Sequence, residues 1–217
     1  IWVASPRHLA AVVEHLAAES ALAVDTESNS LFAYRERICL IQFSTRAADY
    51  LIDPLALNDL TPLGALLADP HIEKVFHACE YDMICLRRSY DFRVVNVFDT
   101  MVAARTLGWP KMGLATILEG LWSVKTNKRY QRADWSRRPL SPEQLLYASL
   151  DTRYLLPLRD LLYQELKTSA GWEEAREEFD RLSRVDGAPA AFDADGFWRI
   201  NGARELAPRE AAILREL

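Results

Sequence analysis

The chain is short of the residues that mark several function classes. It holds only three cysteines, Cys39, Cys79 and Cys85, an odd number without the paired Cys or His spacing of a zinc site. Each lies in an apolar setting, which reads as a buried reduced thiol of a cytosolic protein. No apolar run approaches the roughly 20 residues of a membrane helix; the longest, such as 21–24, have the length of a strand. An excess of positive charge is missing as well. The 26 Lys and Arg stand against 31 Asp and Glu, a net charge of −5, which argues against a general nucleic-acid coat protein. Internal repeats and low-complexity segments are absent. So is an initial Met: the chain begins at Ile1, as a piece of a longer protein would. With 50% of its 217 residues hydrophobic, it has the material for one full-sized core plus an appendage, which excludes global disorder.

What is there is a set of acids in apolar surroundings. Asp25 and Glu27 occur in Val-Asp-Thr-Glu, Asp82 in His-Ala-Cys-Glu-Tyr-Asp, and Asp151 in Tyr-Ala-Ser-Leu-Asp, with Tyr147 four residues before it. A basic stretch also stands out. Lys125, Lys128, Arg129, Arg132, Arg137 and Arg138 fall within fourteen residues, with Tyr130 and Trp135 interleaved. Read alone, it fits a phosphate-binding patch and a solvated basic loop equally well.

The pattern of elements places these residues. Ser5 and Pro6 open a helix to Glu19. Strands follow at 21–25, 38–44 and 49–52, the last ended by Asp53-Pro54. A helix at 60–68, a strand at 73–77, a helix at 80–90 and a strand at 93–98 come next. The rest is helical: 100–107, 113–121, a long helix at 141–166, a charged one at 171–184, and a last one from Pro208. Ser141-Pro142-Glu143-Gln144 is a helix start with a cap and a first-turn Pro. Successive early strands pair antiparallel, and strands separated by helices pair parallel. The expected fold is an α/β mixed five-stranded sheet flanked by helices, with a helical C-terminal extension. The run 186–195 reads as a linker.

Two residues apart on a strand, Asp25 and Glu27 share a face. The pair fits a cation site, and equally one exposed acid beside one that caps a turn. Tyr147 and Asp151 share a helix face, a spacing also common on ordinary amphipathic helices. Asp82 near a helix start is favoured by the dipole with or without a ligand. The conjunction carries the argument. Converging carboxylates repel one another unless cations neutralise them, and an all-oxygen site suits a hard ion such as Mg²⁺. The chemical solution is a pair of divalent cations roughly 4 Å apart acting on a phosphodiester, with Tyr147 orienting the attacking water.

At these motifs the chain resembles the DEDD superfamily of 3′–5′ exonucleases and, within it, the ribonuclease D group. Asp25-Thr26-Glu27 matches the first exonuclease motif, 77–82 the second, and 147–151 the third. Tyr147 marks the tyrosine subclass; the histidine subclass carries a His five before the last Asp, where this chain has Leu146. Cys39-Leu40-Ile41-Gln42, Phe98-Asp99-Thr100 and the stretch 133–140 extend the likeness over about 1–168.

The resemblance implies a ribonuclease H-like fold and hydrolysis with two divalent cations, Mg²⁺ or Mn²⁺, releasing nucleoside 5′-monophosphates. It implies Asp25, Glu27 and Asp151 around the water-activating ion, Asp25 bridging to the second, and Asp82 supporting that one through water. Tyr147 completes the catalytic set. Lys128, Arg129 and Thr26 are the implied nucleic-acid contacts. Where eukaryotic exosome relatives have an aromatic three residues after the second-motif Asp, this chain has Cys85, which puts one stacking contact in question. Gln42, His77 and Asp99 match family positions and read as supporting residues rather than ligands. The tail from Phe197-Trp198-Arg199-Ile200 resembles the linker and opening helix of an HRDC domain, a small nucleic-acid-binding module.

The expected organisation is an exonuclease domain at 1–168, a helix and linker at 169–196, and a truncated HRDC-like start at 197–217. The expected partner is the single-stranded 3′ end of an RNA, as in tRNA maturation, in the cytoplasm and without a membrane. A DNA exonuclease of the same chemistry, or a non-catalytic nucleic-acid-binding module, are the alternatives. Oligomeric state is not legible.

Overall fold

The computed structural model describes residues 1–33, 35–187, 196–199 and 202–216. They belong to two compact units, 1–187 and 188–217. The first holds β1 (Trp2–Val3), α1 (Pro6–Leu16), β2 (Ala21–Ser28), β3 (Ile38–Ser44), β4 (Asp49–Ile52), α2 (Thr61–Leu67), β5 (Glu73–Phe76), α3 (Glu80–Tyr90), β6 (Val97–Asp99), α4 (Thr100–Thr106), α5 (Leu114–Trp122), α6 (Pro142–Arg153), α7 (Leu155–Thr168) and α8 (Trp172–Leu182). The strands form one sheet in the order β1-β4-β3-β2-β5-β6. β2, β3 and β4 pair antiparallel, while β1 with β4 and β5 with both neighbours are parallel.

The sheet therefore has six strands rather than the expected five. β1 is a two-residue edge strand that pairs Trp2 with Leu51 and Val3 with Ile52. Two residues carry no readable alternation, so only the tertiary pairing defines it. β6 is shorter than the expected 93–98. Asn96 sits at φ 53, which breaks the extended chain, and only Val97–Asp99 pair with β5.

The expected single helix over 141–166 is two. α6 starts on a full capping box, with the Gln144 N–H donating to Ser141 Oγ at 3.2 Å and the Ser141 N–H to Gln144 Oε1 at 3.0 Å. It ends at Arg153, and Tyr154 joins it to α7. Pro157 lies four residues after Arg153; it has no N–H to give the Arg153 carbonyl, and its ring crowds that oxygen.

The main core is the sheet with α1, α2, α3, α4, α7 and α8 around it. α8 places Ala175, Phe179 and Leu182 in that core, and the Phe179 and Phe98 rings meet at 4.8 Å. The compact unit accordingly runs past residue 168 to Gly187. A smaller cluster (Cys39, Leu40, Leu51, Tyr130, Trp135, Leu140, Tyr147 and Ala148) lies between the sheet, α6 and the basic stretch. All three cysteines are buried and free.

In the second unit, short 3₁₀ turns at Gly196–Arg199 and Ala203–Glu205 precede α9 (Pro208–Glu216). Most of the expected linker, 188–195, and Ile200 of the tail motif lie outside the described residues. Among the described residues, no helix is long and apolar enough to cross a membrane.

Candidate active site

The site begins where β2 outruns its neighbour. β5 pairs with β2 only at Ala21, Leu22 and Ala23, whereas β3 stays paired as far as Ser28. Beyond Ala23 one edge of β2 is free of β5, and Asp25, Thr26 and Glu27 fall in that stretch. Alternation turns Asp25 and Glu27 to one face and Thr26 to the other. α6 packs over β2, β3 and β4 and brings Asp151 to the acid-bearing face. Carboxylate oxygens of Asp25, Glu27 and Asp151 all lie within 4.8 Å of one another.

Asp82 joins from the other side. The first turn of α3 carries it, buried, to Thr26, whose Oγ donates to Asp82 Oδ1 at 2.5 Å. Thr26, expected as a nucleic-acid contact, lines the cleft together with Asp25 and Glu27, while its hydroxyl is engaged with Asp82. A second fastening ties the end of β2 to α3: Glu36 accepts from Ser28 Oγ at 2.6 Å and from Arg88 Nη2 at 3.0 Å.

The charges are mutually unfavourable without a cation. Burial, followed by repulsion from Asp82, Asp151 and Glu27, holds the Asp25 carboxyl well above its usual range. Burial, then Asp151 and Asp82, does the same to Glu27. Burial pushes Asp151 up to about 7, against a hydrogen-bonding contribution from Tyr147. It pushes Asp82 up to about 6, opposed by the Thr26 hydroxyl. The central trio is made of carboxylate oxygens alone, a donor set that fits a hard divalent ion.

Tyr147 stands over these acids. Burial, then the charges of Asp151, Glu27 and Asp25, raises its phenol far above the ordinary value. Its ring is held 5.9 Å from that of Tyr130 and 6.2 Å from that of Trp135. The cleft in front measures about 440 Å³, and Asp25, Glu27, Asp151, Tyr147 and Lys128 are among the residues that line it.

The basic stretch divides. Lys128 reaches the cleft. Arg129 donates to the Tyr130 hydroxyl at 2.5 Å and lies over that ring at 4.7 Å, so it supports Tyr130 and does not line the cleft. Arg137 pairs with Asp134 at 3.0 Å. Arg138 turns inward and grips Asp53 through two bonds of 2.8 and 2.6 Å, and the carbonyls of Cys39, Trp135 and Arg137. Sequence reasoning missed Thr126, Gln131 and the 113–116 turn on the cleft wall. Nothing local marks them; only the tertiary fold brings the start of α5 and the 126–131 segment to the cleft that Tyr147 and Asp151 of α6 also line. His77, expected to be a supporting residue, also lines the cleft, with Nδ1 2.9 Å from Thr100 Oγ.

A ribonuclease H-like α/β sheet with clustered carboxylates at the free end of its central strand defines a nuclease-type site. Comparison with known proteins carries this further. A profile described as 3′–5′ exonuclease matches residues 1–167, and the chain belongs to that family. It is 41% identical over 167 residues to the exosome complex exonuclease RRP6 of Saccharomyces cerevisiae, covering 76% of this chain and 23% of the relative. It is 35% identical over 208 residues to ribonuclease D of Haemophilus influenzae, covering 92% and 50%. The crystal structure of the catalytic core of RRP6 from Trypanosoma brucei superposes with a TM-score of 0.88 at 32% identity, over 99% of this chain and 61% of that one. The chain spans half or less of the length of the two sequence relatives.

Proposed function

We propose that this chain is a divalent-cation-dependent 3′–5′ exoribonuclease that releases nucleoside 5′-monophosphates from the single-stranded 3′ end of an RNA. The observation that carries the reading is the convergence of the Asp25, Glu27 and Asp151 carboxylates within 4.8 Å, with Tyr147 and Lys128 on the same cleft. Asp25, Glu27 and Asp151 would hold one cation. Asp25 would also reach a second, supported by Asp82 through water. When bound, the pair of Mg²⁺ (or Mn²⁺) ions supplies an acidified water and stabilises charge on the leaving 3′ oxygen.

The protein's own groups do the rest. Tyr147 keeps its proton at neutral pH, since its phenol is raised by burial and neighbouring carboxylates. It therefore orients the attacking water and does not act as a base, the role we assign it as a member of the tyrosine subclass. Lys128 offers an ammonium to the phosphate at the end of the strand. Tyr130 and Trp135 keep Tyr147 from tilting away.

The names of the relatives support RNA as substrate, and tRNA 3′-end maturation is the specific role we assign. The described part of the second unit is read as the start of an HRDC module. Three buried free thiols fit a reducing cytoplasm. The test uses a 3′-labelled RNA with Asp25→Ala and Asp151→Ala. The expected result is mononucleotide release by the unaltered chain and loss of it in both variants. Undiminished release would sink the proposal, and faster digestion of a matched DNA strand would move it to DNA.

A further inference from the structure

One buried carboxylate outside the catalytic set holds the starts of two helices. Asp99 is 1% exposed and closes β6. Its Oδ1 accepts from the backbone N–H of Ala78 at 3.1 Å, Met101 at 2.8 Å and Val102 at 3.0 Å, and its Oδ2 from Cys79 at 2.7 Å. Met101 and Val102 belong to α4, which Asp99 caps in the usual way. Ala78 and Cys79 form the turn into α3, whose own N-cap, Cys79, makes no side-chain cap bond. Among the described residues Asp99 has no ion-pair partner; four amides and two helix N-termini stand in for a cation.

The clamped turn is one that would not hold itself. Ala78 sits at φ 63, left-handed backbone that L-residues other than Asn and Asp rarely adopt. Four residues further on stands Asp82. Thr100, next to Asp99, fixes the other flank: its Oγ donates to the Phe76 carbonyl at 2.9 Å and lies 2.9 Å from His77 Nδ1.

We propose that Asp99 is a positioning residue for the cation site: by clamping the Ala78–Cys79 turn across to α4, it sets where α3 begins and so where Asp82 stands relative to Asp25 and Glu27. This rests on the cation-binding reading above. The outer partners of metal ligands typically carry about 10- to 100-fold in metal affinity, and Asp99 acts in that manner through a backbone turn.

Asp99→Ser separates the two jobs of the carboxylate. Serine keeps a good N-cap for α4 but is too short to reach Ala78 and Cys79. The chain with and without D99S is titrated calorimetrically with Mn²⁺, and in parallel Mg²⁺ is titrated against exonuclease activity. The expected result is a folded protein with at least about tenfold weaker cation binding and unchanged KM for RNA at saturating Mg²⁺. Adding Ala78→Gly to D99S should recover part of the loss, because glycine takes positive φ without the steric cost. Unchanged cation affinity in D99S would overturn the inference, and so would a loss that A78G leaves untouched. If D99S does not fold, Asp99→Asn, which keeps the shape and one acceptor oxygen, is read by the same criteria. Asp82→Asn in the same titration reports on the cation reading itself, so its failure is told apart from that of Asp99.

Discussion

Tyr147 is only 7% exposed, yet its hydroxyl belongs to the catalytic cleft, and that combination sets what its removal should do. Tyr147→Phe leaves the ring between Tyr130 and Trp135 and takes away only the hydroxyl, which we propose aims the water. The expected effect is a fall in kcat of about 10²-fold with little change in KM, measured on a 3′-labelled oligonucleotide. Equal losses in Tyr147→Phe and in a variant that disturbs the ring stack would mean that packing rather than the hydroxyl matters.

The acids make a prediction of their own. Without a cation, Asp151 titrates near 7 and Asp82 near 6 in place of 3.8. Between about pH 4 and about pH 7 the folded chain therefore holds protons that the unfolded chain releases, and the contribution of these groups to stability falls as pH rises through that window. A bound divalent cation favours the ionised carboxylates and reverses the penalty. In EDTA, Asp151→Asn should therefore gain Tm over the unaltered chain as the pH goes from about 5 to about 8, and the Tm rise caused by Mg²⁺ should be larger at about pH 8. Differential scanning fluorimetry reads both. A Mg²⁺ effect that is largest in acid would contradict the sign.

At the scale of elements, the stretch 125–138 is held by the buried rings of Tyr130 and Trp135 and by one internal ion pair. The side chain of Asp53 is only 5% exposed, and Arg138 is its ion-pair partner. Arg138→Met would leave that carboxylate buried and unpaired, at a cost of about 3 kcal/mol, seen as a lower urea midpoint. The same change should loosen Trp135, whose carbonyl Arg138 holds at 2.8 Å, and with it the wall behind Tyr147. Lys128 carries the opposite expectation: on the cleft but outside the core, Lys128→Ala should spare stability and weaken RNA binding. Plotted as log K against log salt, its slope should fall by about 0.7, because one phosphate is no longer neutralised by the protein. The six basic residues within fourteen fit a phosphate-binding patch and a solvated loop equally well from sequence alone. Because Arg138 is internal, Arg129 is held on Tyr130 and Arg137 is paired with Asp134, the total slope should correspond to fewer than six phosphates.

For the whole molecule, the question is where the catalytic unit stops. The exonuclease profile ends at residue 167, yet α8 covers Phe98, whose ring meets that of Phe179 at 4.8 Å. A chain ending at 168 should lose cooperative unfolding and show early proteolysis, whereas one ending at 187 should keep a sharp transition. Phe179→Ala in the full chain should cost about 3 to 4 kcal/mol, measured by chemical denaturation. A stable 1–168 fragment would place α8 outside the folding unit.

Much of the candidate site was legible because its determinants are local. Two residues on a strand fix a shared face for Asp25 and Glu27, four on a helix fix one for Tyr147 and Asp151, and the capping box at Ser141 announces α6. Pro157 was equally visible and did break the long helix, since the missing N–H is a property of one residue. The sequence by itself thus determined which acids could work together and on which elements they ride. The tertiary structure alone decided that β2 outruns β5 and leaves its acids free, that β1 is a strand, that Thr26 meets Asp82, and that Arg138 is a staple rather than a phosphate ligand. The reason is physical: strand ends, buried ion pairs and helix docking depend on partners 49, 56 or 85 residues away in the chain, and no local periodicity encodes which distant group will arrive.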